Sequence, residues 1–410
     1  MGRRQPESQV THIRKAGSVI RKAFSVLRGW QDRRHARRLL AENLARRRHA
    51  PLSIEQLFPA AGTARRILLL VERDELYGRS FFLESLGAPI VRGIPPQTRP
   101  DDVAICFGYT ALERHAVRLR ASGITNLLFL EAGFLRGVVL DNSCSVYDQA
   151  ICFFVDDLGF HFDPTAPTRL ECLLNDPHLN PTAADLERAR ALRTRIVESR
   201  LTKYNDQPMT VPVGAKRSSR VLVVEQARND WAVLKSGGSR RRFDSILHTA
   251  LDENPDAEIL VKVHPDSLDG KRGGLQRSYF GRLKGTGRIT IVREKVNPFA
   301  LLESVDKVYV FSSMLGFEAS LMGKEVHVFG TPCYAGWGVT RDRQAVPRRA
   351  RRRSLDELVY FIYFTYQCYK NLEGEWCRAE DAIDILLDLR ERYMAELPTV
   401  RAEWLSVASR

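Results

Sequence analysis

The 410-residue sequence lacks the features that mark several classes of protein. It has no run of eighteen apolar residues, so no segment is predicted to cross a membrane. Its first residues, MGRRQPESQ, lack the apolar core of a secretion signal. Its seven cysteines form no CxxC pair and no zinc-ligand spacing, so we expect them to be reduced and mostly buried. These absences favour a cytoplasmic globular protein.

Basic residues are unevenly distributed along the chain. Of the net charge of +14, residues 1–50 carry +11, with 14 Lys and Arg against 3 Asp and Glu. Apolar residues, including Phe24 and Trp30, recur among them at helical spacing, which is typical of a helix lying on an anionic membrane surface. A nucleic-acid-binding arm and a simple solvated arm stay open as alternatives. The two aromatic residues favour membrane over nucleic acid.

Short apolar runs alternate with helical patterns over the rest of the chain, as in parallel α/β sheets. We therefore predict an α/β fold of two Rossmann-like domains facing a cleft. The predicted parts are a basic amphipathic arm (1–50), an N-terminal domain (51–205), a linker containing Pro, Gly and Ser (206–219), and a C-terminal domain that ends in helices (220–410).

The stretch from Val308 to Gly338 predicts one βαβ unit. Val308–Phe311 is a β-branched and aromatic run that predicts a buried strand, and Ser312 and Ser313 occupy the positions expected for a helix cap. Gly323 is placed to end the helix, before a second strand. Since helix N-termini and the carboxyl ends of parallel strands bind anions, the two serines mark a candidate phosphate or carboxylate site. An ordinary helix cap is the alternative.

Two other predicted strands of the second half end in polar residues. One is followed by Gln226 and, in a predicted loop from Asp230 to Arg242, by Asp230 itself; the other ends in Lys262, His264 and Pro265. Because parallel strands share one carboxyl edge, these residues and the two serines could converge on one anionic ligand. Each also has a structural interpretation, as a solvated loop acid or as a His-Pro turn.

A carboxylate of the first half occupies an equivalent position. Glu131 follows the predicted strand Asn126–Leu130 and could face the cleft from the opposite domain. A carboxylate from each half suits glycosyl chemistry, in which one acts as nucleophile or base and the other as acid or base. A structural ion pair between Glu131 and Arg136 is the alternative. We find no convincing metal site in the sequence.

Seven segments together resemble the capsule polysaccharide biosynthesis proteins that are retaining β-Kdo transferases and use CMP-Kdo, where Kdo is 3-deoxy-D-manno-oct-2-ulosonic acid. They occur in the family's order over most of the chain after the arm. The segments are EAGFLRG (131–137), FVDDLGFHFDPTAPTRLE (154–171), LTKYN (201–205), VEQARND (224–230), NPDAEILVKVHPD (254–266), SSMLGFEASLMGKEVHVFG (312–330) and PCYAGWGVTRD (332–342).

The resemblance implies a retaining glycosyltransferase of the two-Rossmann GT-B type, with CMP-Kdo as donor substrate, no further cofactor and no metal. It implies Asp230 as nucleophile and Glu131 as the cleft residue that handles the acceptor hydroxyl proton. The other implied positions are the donor-binding residues Gln226, Lys262, His264, Pro265, Ser312, Ser313 and Glu318, and the acceptor-binding or structural residues Arg136, Tyr334 and Trp337. The implied partners are a lipid-linked or glycan acceptor at the inner membrane, where the enzyme would be peripheral, and other capsule biosynthesis proteins.

Departures from the family pattern keep other functions open. Trp231 follows the implied nucleophile where a small residue is usual, Val263 replaces a proline, and Cys333 replaces a common aromatic. The best-known members also carry two transferase modules, whereas this chain has one. A non-catalytic binding or assembly component of capsule polysaccharide export is the main alternative. A transferase that uses a nucleotide diphosphate sugar is a third hypothesis, weakened by the absence of a larger cationic phosphate-binding set.

Overall fold

The computed structural model describes residues 31–47, 65–71, 83, 86–140, 145–216, 219–227, 229–264 and 287–396. Over these ranges the chain forms two β-sheets with helices packed on them. The strands are β1 (Ile67–Leu70), β2 (Ile90–Arg92), β3 (Val103–Phe107), β4 (Asn126–Ala132), β5 (Cys152–Asp156), β6 (Arg220–Val224), β7 (Glu258–Lys262), β8 (Ile289–Val292), β9 (Lys307–Val310), β10 (Glu325–Val328), β11 (Arg341–Asp342), β12 (Gln367–Lys370) and β13 (Trp376–Cys377).

The helices cover the faces of these sheets. They are α1 (31–47), α2 (Tyr109–Ser122), α3 (Arg169–Asn175), α4 (Ala183–Glu198), α5 (Trp231–Lys235), α6 (Arg240–Glu253), α7 (Pro298–Glu303), α8 (Leu315–Leu321), α9 (Leu355–Val359) and α10 (Ala379–Glu396), with a π-helical segment at Tyr360–Tyr366. Local sequence explains several of their ends. Thr182 and Asp185 form a capping box at the start of α4, and Asn297 caps α7, whose first residue is a proline.

The first sheet has the strand order β13-β12-β5-β4-β3-β1-β2. Its parallel part comprises β1 to β4. The buried residues of β1, β3 and β4 form near-continuous apolar runs, as expected for strands covered on both faces. Strand β5 runs antiparallel to β4, with Glu131 opposite Phe154. The second sheet is parallel throughout, in the order β11-β10-β9-β6-β7-β8. This arrangement brings the carboxyl ends of β6, β7 and β9 to one edge.

The predicted boundary of the C-terminal domain differs from the observed topology. After completing the second sheet, the chain returns to the first one, where β12 pairs antiparallel with β5 and β13 pairs with β12. We had expected only helices in this region. The segment forms strands because β5 presents a free edge, which only the folded first sheet provides. The last helix, α10, follows these strands.

Part of the predicted arm belongs to the first domain. Within α1, Ala36 and Leu39 are buried in the same apolar cluster as strands β1, β3 and β4. The side-chain amide of Asn43 donates a hydrogen bond to the Asp157 carbonyl at 2.6 Å, and Arg120 of α2 pairs with Glu42 at 2.8 Å. The arm prediction for residues 1–30 and 48–50 lies outside the described residues.

One further prediction was wrong in the second domain. The stretch from Asp230 to Arg242, expected to be a loop, contains α5 and the start of α6. The reason is local, because the Asp230 carboxylate accepts a hydrogen bond from the Ala232 N–H at 2.8 Å and so caps α5. The prediction of mostly buried cysteines is met only in part, because Cys172, Cys368 and Cys377 are half-buried. The six described cysteines are free, and Cys106, Cys152 and Cys333 are buried.

Candidate active site

Glu131 lies at the carboxyl end of β4 in the first domain. The Ala132 N–H donates to its Oε1 at 3.3 Å, and its other carboxylate oxygen lies over Gly108, directly before α2. A Cβ built on Gly108 would lie at an ordinary contact distance of 3.9 Å from this oxygen, so glycine is favoured there by its backbone φ of +83° rather than by lack of space. The position at the start of α2 places a carboxylate where a helix dipole stabilises negative charge.

Asp230 lies at the start of α5 in the second domain, after the end of β6. The next residue, Trp231, crosses to the first domain, where its indole Nε1 donates to Thr110 Oγ1 at 2.9 Å. Its ring packs on Tyr109 with 4.6 Å between ring centroids. Tyr109 and Thr110 are the first two residues of α2. The N-terminus of α2 therefore lies beside Glu131 and contacts Trp231, the first residue of α5, whose cap is Asp230.

The structure thus places the two carboxylates, one from each domain, within range of each other's charge. Burial raises the pKa of Glu131, and the negative charge of Asp230 raises it further. The Lys203 ammonium and the hydrogen bond from Ala132 act in the opposite direction. The sequence placed both carboxylates at strand ends but could not show that they interact.

Lys203 is a cleft residue that the sequence reasoning missed. The charges of Glu131 and Asp230 contribute to raising the pKa of its ammonium, after the larger effect of Tyr204. The loop that carries it is fixed, since Asn205 donates to the Gly137 carbonyl at 2.8 Å and accepts from the Thr202 N–H at 2.9 Å. The only signal in the sequence was the position of this lysine inside the family segment LTKYN.

Gln226 and Ser312 meet at the carboxyl edge of the second sheet. The Ser312 N–H donates to Gln226 Oε1 at 2.7 Å, and Gln226 Nε2 donates to Ser312 Oγ at 3.3 Å. Both side chains are buried. This pairing joins two of the predicted donor-binding residues and fixes the turn that leads from β9 into α8.

Ser313 does not act as the helix cap that we predicted. The cap position of α8 is Met314, which forms no side-chain cap, while Ser313 Oγ accepts from the Leu315 N–H at 3.3 Å. The Ser313 carbonyl accepts a hydrogen bond from the Tyr334 hydroxyl at 2.5 Å. A Cβ at Gly316 would collide with the same hydroxyl, so glycine is needed there for the contact. The Tyr334 hydroxyl therefore anchors the turn that contains Ser312 and Ser313, called here the serine turn.

Lys262 is the last residue of β7 and is buried, and His264, two residues later, is half-buried. Burial lowers the pKa of Lys262 to about 8, although the charges of Glu294 and Glu225 oppose the shift. Its ammonium donates to the Val263 carbonyl at 2.8 Å. The His264 N–H donates to the Glu225 carboxylate at 3.3 Å. Pro265, also predicted to bind the donor, lies outside the described residues.

Glu318 faces a narrow crevice between the domains, and Lys203 lines the same crevice. Burial alone raises the pKa of Glu318 to about 8, so this side chain is mostly protonated at neutral pH. The remaining walls are largely apolar. They are formed by Phe134, Ile196, Leu201, Phe299, Met314, Phe317, Leu321 and Tyr363.

Two other predicted residues have structural contacts. Arg136 is buried and pairs with Asp148 at 3.0 Å while also donating to the Val139 carbonyl, so its predicted structural partner Glu131 is replaced by Asp148. Trp337 is fully buried, and its indole N–H donates to the Cys333 carbonyl at 2.8 Å. Of the two roles predicted for these residues, acceptor-binding or structural, their contacts match the structural one.

The described helices include none that is long and apolar enough to span a membrane. Within the same described ranges, the His, Cys, Asp and Glu side chains form no group of three or more that could hold a metal ion.

The two sheets and the cleft between them define a GT-B-type fold. The β-Kdo 2,4 transferase structure of KpsC from Thermosulfurimonas dismutans is 33% identical to this chain, with a TM-score of 0.69 over 80% of this chain and 99% of that one. The β-Kdo 2,7 transferase structure of the same protein is 24% identical, with a TM-score of 0.56 over 80% and 100%. At that lower identity the second likeness concerns the fold alone. The predicted fold class is confirmed.

A profile described as "Capsule polysaccharide biosynthesis protein" matches residues 192–372. The capsule polysaccharide modification protein LipA of Neisseria meningitidis serogroup A is 37% identical over 278 residues, which are 64% of this chain and 38% of LipA. The lipopolysaccharide-processing protein LpsZ of Rhizobium meliloti is 38% identical over 245 residues, 58% of this chain and 53% of LpsZ. This chain therefore spans about half or less of the length of these relatives. It belongs to the capsule polysaccharide biosynthesis family.

Proposed function

We propose that this chain is a retaining glycosyltransferase that moves Kdo from CMP-Kdo to a lipid-linked or glycan acceptor in surface polysaccharide biosynthesis. The observation that carries the proposal is that Glu131 and Asp230 approach the start of α2 from opposite domains, within range of each other's charge. Most retaining enzymes that cleave glycosidic bonds use two such carboxylates, and we extend this chemistry to glycosyl transfer. The similarity to the KpsC β-Kdo 2,4 transferase supports the choice of sugar.

In the proposed reaction, an oxygen of Asp230 forms a bond to the anomeric carbon as the bond from that carbon to the phosphate oxygen breaks. CMP leaves with the bonding electron pair, and a covalent sugar-enzyme ester remains. Glu131 then accepts the proton of the acceptor hydroxyl, whose oxygen attacks the anomeric carbon and displaces Asp230. Two inversions give net retention. The capping bond from Ala232 holds Asp230 in place for both steps.

We infer that the CMP phosphate lies against the edge built by His264, Ser312 and Ser313. The support for this position is the Gln226 pairing, which fixes Ser312, and the Tyr334 bond, which fixes the Ser313 carbonyl. Fixed neutral donors suffice to stabilise a departing phosphate, so the reaction is proposed to need no metal. Equal rates with EDTA and with Mg²⁺ are expected. Loss of turnover in EDTA, restored by Mg²⁺, would contradict this part.

The test of the mechanism is a search for the covalent intermediate. The protein is incubated with CMP-Kdo in the absence of acceptor and examined by intact mass spectrometry, beside Asp230→Asn. We expect an adduct of one Kdo residue on the wild type and none on the variant. An adduct of the same yield on the variant would remove Asp230 from the role of nucleophile, whereas absence of CMP release from the wild type with any acceptor would count against transfer itself.

The alternative of a non-catalytic assembly component loses one of its two supports. Trp231, which suggested a degraded site, instead packs on Tyr109 and bonds to Thr110. CMP release discriminates the two functions, because an assembly component would associate with partner proteins without turnover.

We further infer that the basic N-terminal residues bring the enzyme to the anionic inner face of the bacterial membrane. The support is the charge of +6 in residues 1–30, from 7 Lys and Arg against 1 Glu, which is part of the +11 in residues 1–50. Flotation with liposomes containing anionic lipid tests this, with a deletion of residues 1–30 that leaves α1 in place. Binding by the intact chain but not by the deletion is expected, and equal flotation of both would overturn the inference.

A further inference from the structure

The proposed donor presents an electrostatic difficulty at the site of reaction. In a keto-acid sugar such as Kdo, the carboxylate is bonded directly to the anomeric carbon. A nucleophilic carboxylate that approaches this carbon therefore comes within about 4 Å of a second negative charge, which costs about 1–4 kcal/mol at effective dielectric constants between 80 and 20. A cation beside Asp230 is needed to offset this repulsion.

The described cations near the cleft differ in their availability. Arg136 is engaged with the Asp148 carboxylate and two backbone carbonyls. Lys262 donates to the Val263 carbonyl, and Glu225 and Glu294 face it. His161 is neutral, because burial and the charge of Lys203 lower its pKa to about 3.

Lys203 differs from these three side chains. Its ammonium forms no hydrogen bond or ion pair with any residue that the structure describes. It lies over the Tyr204 ring, with 5.9 Å between Nζ and the ring centroid. The negative charges of Glu131 and Asp230 contribute to raising the pKa of its ammonium, so both carboxylates lie within range of its charge. It also lines the crevice, whose other walls are mostly apolar. Since such walls exclude water, a charge interaction there is stronger than at the surface.

The position of Lys203 is built into the backbone around it. The Asn205 N–H donates to the Val138 carbonyl at 2.9 Å, and the Asn205 side chain bonds to Gly137 and to Thr202. These contacts tie the lysine loop to the segment that follows Glu131. The lysine is therefore held in place relative to one of the two catalytic carboxylates before any ligand binds.

We propose that Lys203 binds the carboxylate of the sugar donor and selects acidic keto-acid sugars over neutral ones. This inference rests on the proposed function and adds the residue that recognises the carboxylate of the donor. The ammonium is shared by the donor carboxylate and Asp230, so it both orients the anomeric carbon and reduces the repulsion during attack. Lys203 is thus a substrate-binding residue in the cleft between the two domains.

The test separates recognition of the acid from turnover. In the presence of CMP, binding of free Kdo and of its neutral C1 carboxamide is measured by ligand-observed NMR for the wild type, Lys203→Met and Lys203→Arg. We expect the wild type to prefer the acid by about tenfold or more, the methionine variant to lose this preference, and the arginine variant to retain most of it. CMP affinity, measured by calorimetry, is expected to change by less than about twofold in both variants.

Several outcomes would overturn the inference. One is retention of the preference for the acid by a folded Lys203→Met protein, as judged by its thermal melting. Another is a wild type that binds acid and carboxamide equally. If the wild type prefers the acid but forms no covalent adduct and releases no CMP, the proposed transfer fails while the role of Lys203 stands, so the two failures are distinguishable.

Discussion

Trp231 and Thr110 join the two domains through a hydrogen bond of 2.9 Å, beside the residue that we propose as nucleophile. From the sequence, Trp231 was a departure that cast doubt on the donor contacts. In the structure its ring packs on Tyr109 of the first domain. The contact fixes the start of α5, and hence Asp230, relative to Glu131.

The first prediction concerns this contact. Trp231→Phe keeps an aromatic ring and removes the N–H, and Thr110→Val removes the acceptor at nearly constant volume. Each is expected to lower kcat by about tenfold while leaving CMP affinity unchanged, because a small displacement of Asp230 affects attack more than donor binding.

Trp376→Phe is the matched control, since Trp376 lies on the edge strand β13 and is 42% exposed. Its kcat is expected to equal that of the wild type. Steady-state kinetics on the three variants checks the set, and a normal kcat in both Trp231→Phe and Thr110→Val would exclude a positioning role.

The second prediction concerns the ion pair of Lys235 and Asp163, at 2.7 Å, which also crosses between the domains. Its side chains are 11% and 6% exposed. Lys235→Met should lower the free energy of unfolding by about 3 kcal/mol, because it leaves the buried Asp163 without its cation. The exposed pair of Arg200 and Glu303, at 37% and 47%, is the control, and Arg200→Met should cost less than about 1 kcal/mol. Urea unfolding measures both, and similar losses would contradict the prediction.

The third prediction concerns Tyr334, whose hydroxyl bonds to the Ser313 carbonyl. Tyr334→Phe should destabilise the fold by about 1 kcal/mol and weaken CMP binding, because the serine turn loses its support. Tyr369→Phe removes a similar buried bond, from Tyr369 to the Tyr363 carbonyl at 2.8 Å, in the first domain. It should cost the same stability without changing CMP affinity. Calorimetry with CMP tests this, and equal CMP affinity in both variants would refute the role of Tyr334.

The fourth prediction concerns pH. Burial raises the pKa of Glu131 above the ordinary value of 4.5, and its carboxylate is the form that accepts a proton. Activity should therefore rise with pH through this raised pKa, so that the acidic limb of the kcat profile lies above 4.5. Lys203→Met removes the cation that opposes the shift, so its limb should lie at higher pH still. A limb that moves to lower pH in this variant would show that Glu131 is not the titrating group.

The fifth prediction concerns stability and Glu318. Its pKa is about 8 in the folded protein against a reference of 4.5, so the folded state binds one more proton between these values. This contribution to stability is fully present below 4.5 and is lost as pH rises towards 8. The slope should approach about 1.4 kcal/mol per pH unit from this residue. Glu318→Gln, which cannot ionise, should remove that slope, and unchanged pH dependence in urea unfolding would contradict it.

Much of the fold was predictable from the sequence because local pattern determines it. The apolar runs at β1, β3, β4, β6 and β9 gave correct strands, and Gly323, with φ +72°, follows α8 as expected. The return of β12 and β13 to the first sheet was not predictable, since it depends on a free strand edge rather than on local propensity. The helix α5 was missed because a single capping aspartate gives a weak signal for a five-residue helix.

For the candidate site, the sequence by itself determined which chemical groups end the strands, namely Glu131, Gln226 and Ser312, because strand ends follow from apolar patterns. The tertiary structure alone decided which groups meet. It placed Asp230 beside Glu131 through the docking of Trp231, and it turned Tyr334 against Ser313. It also brought Lys203 within range of the charges of both carboxylates. The physical reason is that charge interactions and buried hydrogen bonds depend on distances across the cleft, which no spacing along one chain specifies.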